Sequence, residues 1–232
     1  VPDGETTALA ERVTAVWDRR ANPLGATRGT LVAASVEHVR AYPAEDNPNT
    51  ITSDFVRLSG RGGGYVRLSK RGLTLAMLLG GGYNRQLISG SKTYPDRLFF
   101  LGGVDTIRGF ARDSLLPQDL ADQVQADAQK PSTDPARLTI DKIAIRGGDV
   151  YLNPRTELRI PVFGGIETAL FVDGGNLWVD PTRVDPFRLR YAGGSGLRIG
   201  TPIGPVAFDY GINLNRRAWE DFGAFHFSIG LF

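Results

Sequence analysis

The chain has 232 residues, among them 29 Gly, 12 Phe, 7 Tyr, 3 Trp and no Cys, with a formal net charge of only +2. The lack of Cys excludes a disulfide-stapled scaffold and thiolate zinc sites, and two His cannot build a His-rich metal centre, so neither metal nor cofactor is expected. Gly at about an eighth of the chain disfavours long helices, because each helical Gly costs roughly 1 kcal/mol relative to Ala. No run of 18 apolar residues provides a membrane-spanning helix. The opening Val1-Pro2-Asp3-Gly4-Glu5 is polar and turn-like, so no signal peptide is expected in it. Of the 27 basic residues 23 are Arg, a bias towards planar, multi-donor cations suited to fixed networks. The charge balance predicts no nucleic-acid partner. An all-β protein remains, either soluble or an outer-membrane barrel.

Taken in chain order, the pattern predicts nine strands, at 11–19, 29–42, 53–69, 72–87, 147–161, 164–178, 188–201, 203–214 and 222–232. Period two is clearest late in the chain. Val206, Phe208, Tyr210, Ile212 and Leu214 alternate with Ala207, Asp209, Gly211 and Asn213, and Phe225, Phe227, Ile229 and Leu231 alternate with His226, Ser228 and Gly230. Such alternation marks strands whose two faces meet different solvents. Most of the predicted strands exceed the five or six residues usual in soluble sheets and reach the 9–11 that a tilted membrane-crossing strand needs. The second face carries Arg57, Arg61, Arg67, Arg155, Glu157, Arg159 and Arg198 among many glycines. A soluble sandwich also alternates, but with shorter strands; aliphatic and aromatic residues on one side and charge on the other, over ten residues, fit lipid outside and water inside.

Short turns at Lys70-Arg71, Phe163-Gly164 and Pro202-Ile203, with a moderate link at 20–28, alternate with longer connections at 43–52, 88–146, 179–187 and 215–221. Barrels of the bacterial outer membrane alternate short periplasmic turns and long external loops in this way, with an even number of strands. Nine strands ending on the periplasmic side put the first residue outside, so the chain reads as residues 1–232 of a partial barrel. Residues 88–146 form a connection far beyond ordinary loop length. Leu116, Leu120 and Val124 stand at helical spacing within 114–129, which predicts a short surface helix.

Leu101-Gly-Gly-Val-Asp-Thr-Ile-Arg108-Gly109-Phe110 resembles the arginine-glycine-aromatic motif of the BamA/TamA-type outer-membrane assembly family (the bacterial surface antigen family). Asn153-Pro-Arg-Thr-Glu157-Leu-Arg159 is similar to that family's following strand, and Phe171-Val-Asp173-Gly174-Gly175-Asn-Leu-Trp178 to the next. Gly194-Ser-Gly-Leu-Arg198 through Asp209-Tyr210 resembles its penultimate hairpin, and Phe225-His-Phe-Ser-Ile229-Gly230-Leu-Phe232 its C-terminal targeting signal. A less specific likeness covers Trp17 to Gly29. Five motifs in order carry the resemblance over residues 12–232.

The resemblance implies the C-terminal part of a sixteen-stranded antiparallel transmembrane β-barrel whose long loop, 88–146, folds into the lumen. Arg108 would then pair with Asp173 and with Glu157, both on the charged parity of their strands; a guanidinium has donors enough to bridge two carboxylates. Gly109 would permit a tight turn at the loop tip and Phe110 would pack on the wall. The competing reading leaves Arg108 solvated in a mobile loop. Phe225, Phe227, Ile229, Gly230 and Phe232 would form the C-terminal signal, with Phe225, Phe227 and Ile229 towards lipid and Phe232 at the interface. The implied function is an insertase or translocation pore of the bacterial outer membrane. It would work without ATP through a lateral seam and pairing with client strands. The partners implied are the bilayer, N-terminal barrel strands, periplasmic POTRA domains and client β-barrel or secreted proteins. A passive porin or an outer-membrane enzyme barrel is the alternative, although no enzyme motif is found: Gly193-Gly-Ser195-Gly lacks the final Gly of a nucleophile elbow at Leu197. The Gly62–Gly64 and Gly80–Gly82 runs lack a following Lys-Ser/Thr and are expected to thin the wall where something packs inside.

Overall fold

A computed structural model describes residues 6–22, 25–43, 52–201 and 205–229. Nine antiparallel strands follow one another in a single sheet in sequence order: β1 (Thr6–Asp18), β2 (Gly29–Pro43), β3 (Ser53–Arg67), β4 (Thr74–Gln86), β5 (Val150–Phe163), β6 (Ile166–Trp178), β7 (Arg190–Ile199), β8 (Val206–Asn213) and β9 (Gly223–Ile229). Each strand pairs with its chain neighbours only, and β1 and β9 have one partner each among the described residues. None of the described helices is long and apolar enough to cross a membrane. The expected strands are thus all present, mostly trimmed by a few residues where the turns begin. Their number and the open sheet agree with a barrel segment whose ends are not joined to each other within these residues.

The register shows why the alternation is there. Val13, Val36 and Leu58 share one cross-strand row, and Phe208 pairs with Phe227 in another. All five are exposed, on the face opposite the one that buries Glu37, Glu157, Asp173, Arg198 and Asp209. Exposed apolar residues over a whole sheet face are rare on a soluble protein; they are what the outside of a membrane barrel presents to lipid. Phe225, Phe227 and Ile229 are on this exposed face, whereas Ser228 is buried and His226 turns inward. Gly230 and Phe232, together with the expected turn at Pro202-Ile203, lie outside the described residues.

Short and long connections alternate as expected. The tightest among the described residues is Gly164-Gly165, one residue later than expected, both at positive φ (57° and 81°), which closes the Phe163–Ile166 pair; two successive positive φ angles make the hairpin turn whose twist suits flanking strands. The longest, between β4 and β5, is ordered over its described length. It opens with an isolated bridge of Phe99 to Gly148 and buries Phe99, Leu101, Ile107, Phe110 and Leu115 against Leu177 and Ala192 of the sheet. The helix in it, α1 (Gln118–Asp127), starts later than the spacing suggested, because Pro117 occupies its N-cap. It is also less superficial than expected, with Ala121 and Val124 buried.

Candidate functional site

The loop tip is placed by packing before it is placed by charge. Ile107 is fully buried and belongs to the apolar cluster, and the Phe110 N–H closes a tight turn on the Ile107 carbonyl at 3.2 Å. Gly109 lies in that turn, as expected, but it is not among the glycines at positive φ; those in this segment are Gly102 and Gly103. The need for glycine at 109 comes from proximity instead: a Cβ there would sit 2.6 Å from Cβ of Ala192 and 2.9 Å from the Ile212 carbonyl oxygen. On the other side Gly211 is equally tight, since its Cβ would lie 2.2 Å from the Arg108 carbonyl oxygen. Loop and wall therefore touch backbone to backbone.

This seats Arg108, 2 % exposed, on the inward face of the sheet. Its Nε and Nη2 donate to the two carboxylate oxygens of Asp173 at 2.8 Å each, and its backbone N–H adds a third bond at 3.1 Å. Nη1 donates to Glu157 Oε2 at 2.5 Å. The guanidinium carbon stands 3.5 Å from the centre of the Phe171 ring, close enough for the ring face to favour the cation. Asp173 is completely buried, and a buried carboxylate is tolerated only when paired and hydrogen-bonded. Phe110 packs in the apolar cluster with the Arg190 guanidinium over its ring at 5.4 Å. The structure thus brings together Arg108, Gly109, Phe110, Glu157 and Asp173.

The pairing is larger than motif spacing suggested. Glu157 also receives Arg159 at 2.9 Å and Arg198 at 3.1 Å. Arg198 grips Asp209 on the neighbouring strand, and Asp209 lies 3.5 Å from Arg108. Arg155 reaches Asp173 at 3.4 Å and holds the loop backbone at the carbonyls of Val104 and Asp105. Four arginines and three carboxylates thus form one network joining the loop to β5, β6, β7 and β8. Gly196 leaves the space for it, since a Cβ there would overlap the Asp209 carboxylate and Arg198. The last strand joins as well: Nε2 of His226 stands 3.0 Å from the Arg108 carbonyl oxygen, so that nitrogen carries the proton and donates. In the sequence His226 stands out only as one of the residues alternating with the apolar ones of the last strand. The only signal for its role was its inward parity opposite Asp209.

Above the network, α1 is tied to the strand ends. The Asp119 carboxylate accepts the backbone N–H groups of Val179 and Asp180. Arg188 forms a two-bond fork with Asp122 at 2.9 Å, and Arg190 forms another with Glu220. Below it is a cavity of about 550 Å³, lined by Arg61, Tyr65, Leu78, Tyr151, Arg155 and Glu157 among others. Of the two glycine runs, Gly82 meets the expectation of a thinned wall, because a Cβ there would strike Phe99; Gly64 meets nothing and faces open space. Among the described residues no group of His, Asp or Glu is arranged to hold a metal.

An open antiparallel sheet with an apolar outer face and a long inward-packed loop defines a segment of an outer-membrane β-barrel wall. The Omp85 superfamily domain matches residues 3–232, and the chain belongs to that superfamily. It is similar to the chloroplastic outer envelope protein 80 of Arabidopsis thaliana, with 26 % identity over 148 residues, 60 % of this chain and 15 % of that protein. In fold it resembles the crystal structure of BamA from Haemophilus ducreyi lacking POTRA domains 1–3, with a TM-score of 0.68, 21 % identity, and coverage of 94 % of this chain and 41 % of that one. The chain therefore spans less than half the length of either relative. Membership and fold indicate an outer-membrane location.

Proposed function

We propose that this chain is the C-terminal barrel portion of an insertase or translocation pore of the BamA/TamA type in the bacterial outer membrane. The observation that carries the reading is the buried loop tip: Arg108 ties it to Asp173 and Glu157 on the inner face of the sheet, and it holds β9, the last described strand, through His226. An unpaired strand edge presents donors and acceptors that lipid cannot satisfy, so it favours a client strand that can. The work comes from strand pairing and needs no ATP. The Arg108 network holds the loop against the wall so that β9 keeps its place while its free edge is used. Phe225, Phe227, Ile229, Gly230 and Phe232 act as the signal by which the protein is itself inserted. POTRA domains and earlier strands of the longer polypeptide supply the other side of the seam, and unfolded β-barrel or secreted proteins are the clients.

The test is reconstitution of the full-length polypeptide into vesicles without nucleotide, with addition of an unfolded outer-membrane barrel protein. Folded client is read by its altered gel mobility. Faster folding than in empty vesicles, lost when β9 is cross-linked to the first barrel strand, supports the reading. No acceleration, together with steady ion conductance, would instead identify a passive porin with an arginine-lined lumen.

A further inference from the structure

The net charge is small, but its distribution is uneven. The link between β1 and β2 carries Arg19 and Arg28, and the link between β3 and β4 carries Lys70 and Arg71; all four are exposed. Among the described residues none of these four side chains has a carboxylate partner. Asp18, the acid in the same region, is taken by Arg20 at 2.8 and 3.0 Å. The two links lie at the same end of the sheet, separated across it by two strand spacings, about 10 Å, with Trp17 on the row of Gly62 and so set deeper along the strands than Leu68. Directly behind them the outward face ends in Trp17, Val66 and Leu68, each about half exposed or more. Arg19 lies over the Trp17 ring at 4.8 Å. Arg67 braces the second turn by donating to the Ser69 and Lys70 carbonyls. The described short turn between β5 and β6 is uncharged, Gly164-Gly165 next to the exposed Phe163.

We infer that the short-turn rim of β1–β4 binds the anionic headgroups of the lipid leaflet beside it. Trp17 and Leu68 bracket the boundary from either side, since an indole and a leucine near the end of an apolar face mark where hydrocarbon gives way to headgroups. Arg19 and Lys70 follow each of them by two residues, less than about 7 Å along the strand, which puts their charges at phosphate level. Cations at that depth attract anionic lipid over distances of about one Debye length. The rim selects for net negative headgroups and fixes β1–β4 against that leaflet, while the rim at β5–β6 remains indifferent to lipid charge. A neighbouring acidic protein segment would not need the apolar belt behind the cations, and for that reason lipid is the better match.

The experiment uses the full-length protein in phosphatidylcholine vesicles containing either spin-labelled phosphatidylglycerol or spin-labelled phosphatidylcholine, with the motionally restricted fraction of each read by electron spin resonance. The natural protein should prefer phosphatidylglycerol by about fivefold. The preference should fall to near one in the Arg19→Gln/Arg28→Gln/Lys70→Gln/Arg71→Gln variant, to an intermediate value in Lys70→Gln/Arg71→Gln, and to near one at about 0.5 M salt, where screening shortens to a few ångströms. Heat-modified gel mobility of the same samples shows that the variants are folded, and Arg112→Gln/Arg183→Gln, distant exposed cations, should keep the preference. An unchanged preference in the folded double and quadruple variants would overturn the inference. So would absence of preference in the natural protein with carbodiimide coupling of Lys70 to a carboxylate of the same polypeptide, because a protein segment would then occupy the rim.

Discussion

Replacing Arg108 by Ala should release the long loop while leaving the strands in place. The bonds that disappear are unequal in their consequences. Glu157 loses one donor but keeps Arg159 and Arg198, and Asp209 keeps Arg198. Asp173 loses both side-chain bonds from Arg108 and is left with Arg155 at 3.4 Å as its side-chain partner. Stranding a buried charge by removing its partner costs about 3–5 kcal/mol, and here that cost falls on Asp173. Since about 1.4 kcal/mol is a factor of ten, opening of the loop should become roughly a hundred- to a few-thousand-fold more frequent. A single cysteine at Ala121, fully buried on α1, in an otherwise cysteine-free protein reports this as the rate of labelling by a membrane-impermeant maleimide. Arg108→Lys, which keeps the charge but not the fork, should recover part of the protection. Adding Asp173→Asn to Arg108→Ala should be milder than the sum of the two single changes by about 0.5–3 kcal/mol. Labelling of Arg108→Ala within twofold of the unchanged protein would refute the reasoning, since the apolar cluster alone would then hold the loop.

Gly211→Ala puts a methyl group where the Arg108 carbonyl oxygen now lies; an overpacking cost of about 1–3 kcal/mol should appear as faster maleimide labelling at the same reporter, with the β4–β5 strand pairing intact by hydrogen exchange. His226→Leu should speed amide exchange across β9 and the loop tip, and His226→Gln, which retains a donor, should restore protection. For Glu220, burial works to raise the carboxyl pKa, but hydrogen bonds from Arg190 and the Arg217 backbone outweigh it and the group lies below the ordinary carboxylate range. Its stabilisation is therefore complete above the unfolded value of about 4.3 and is lost as pH falls through the lower folded value. The difference in urea midpoint between the natural protein and Glu220→Gln should be constant from pH 7 to about pH 5 and shrink below about pH 4. Phe232→Ala should reduce the amount of folded, membrane-inserted protein on heat-modifiability gels of membrane fractions from cells making the full-length chain; equal amounts would reduce Phe232 to an interfacial anchor.

The strands, their faces and the order of short and long connections were legible in the amino-acid sequence, because period two is forced by the pleat and does not depend on what the strand packs against. The same parity placed Glu157 and Asp173 on one side of the wall, and the Arg108-Gly109-Phe110 tip was marked by its resemblance to the family motif, in a loop otherwise too long to be ordinary. Tertiary structure decided which charges share the site. Arg198 and Asp209 belong to a hairpin noted only for its likeness to the family's penultimate one, and they enter the network because β7 lies next to β6 and Gly196 leaves their side chains room. His226 enters because β8 brings β9 beneath the loop tip. Gly109 was noticed for its freedom of backbone angle but is needed for its lack of a side chain, a distinction visible only once Ala192 and Ile212 are seen against it. A sequence specifies which way each side chain points along its own strand. The distances between side chains of different strands are set by register and by the close approach of loop to wall.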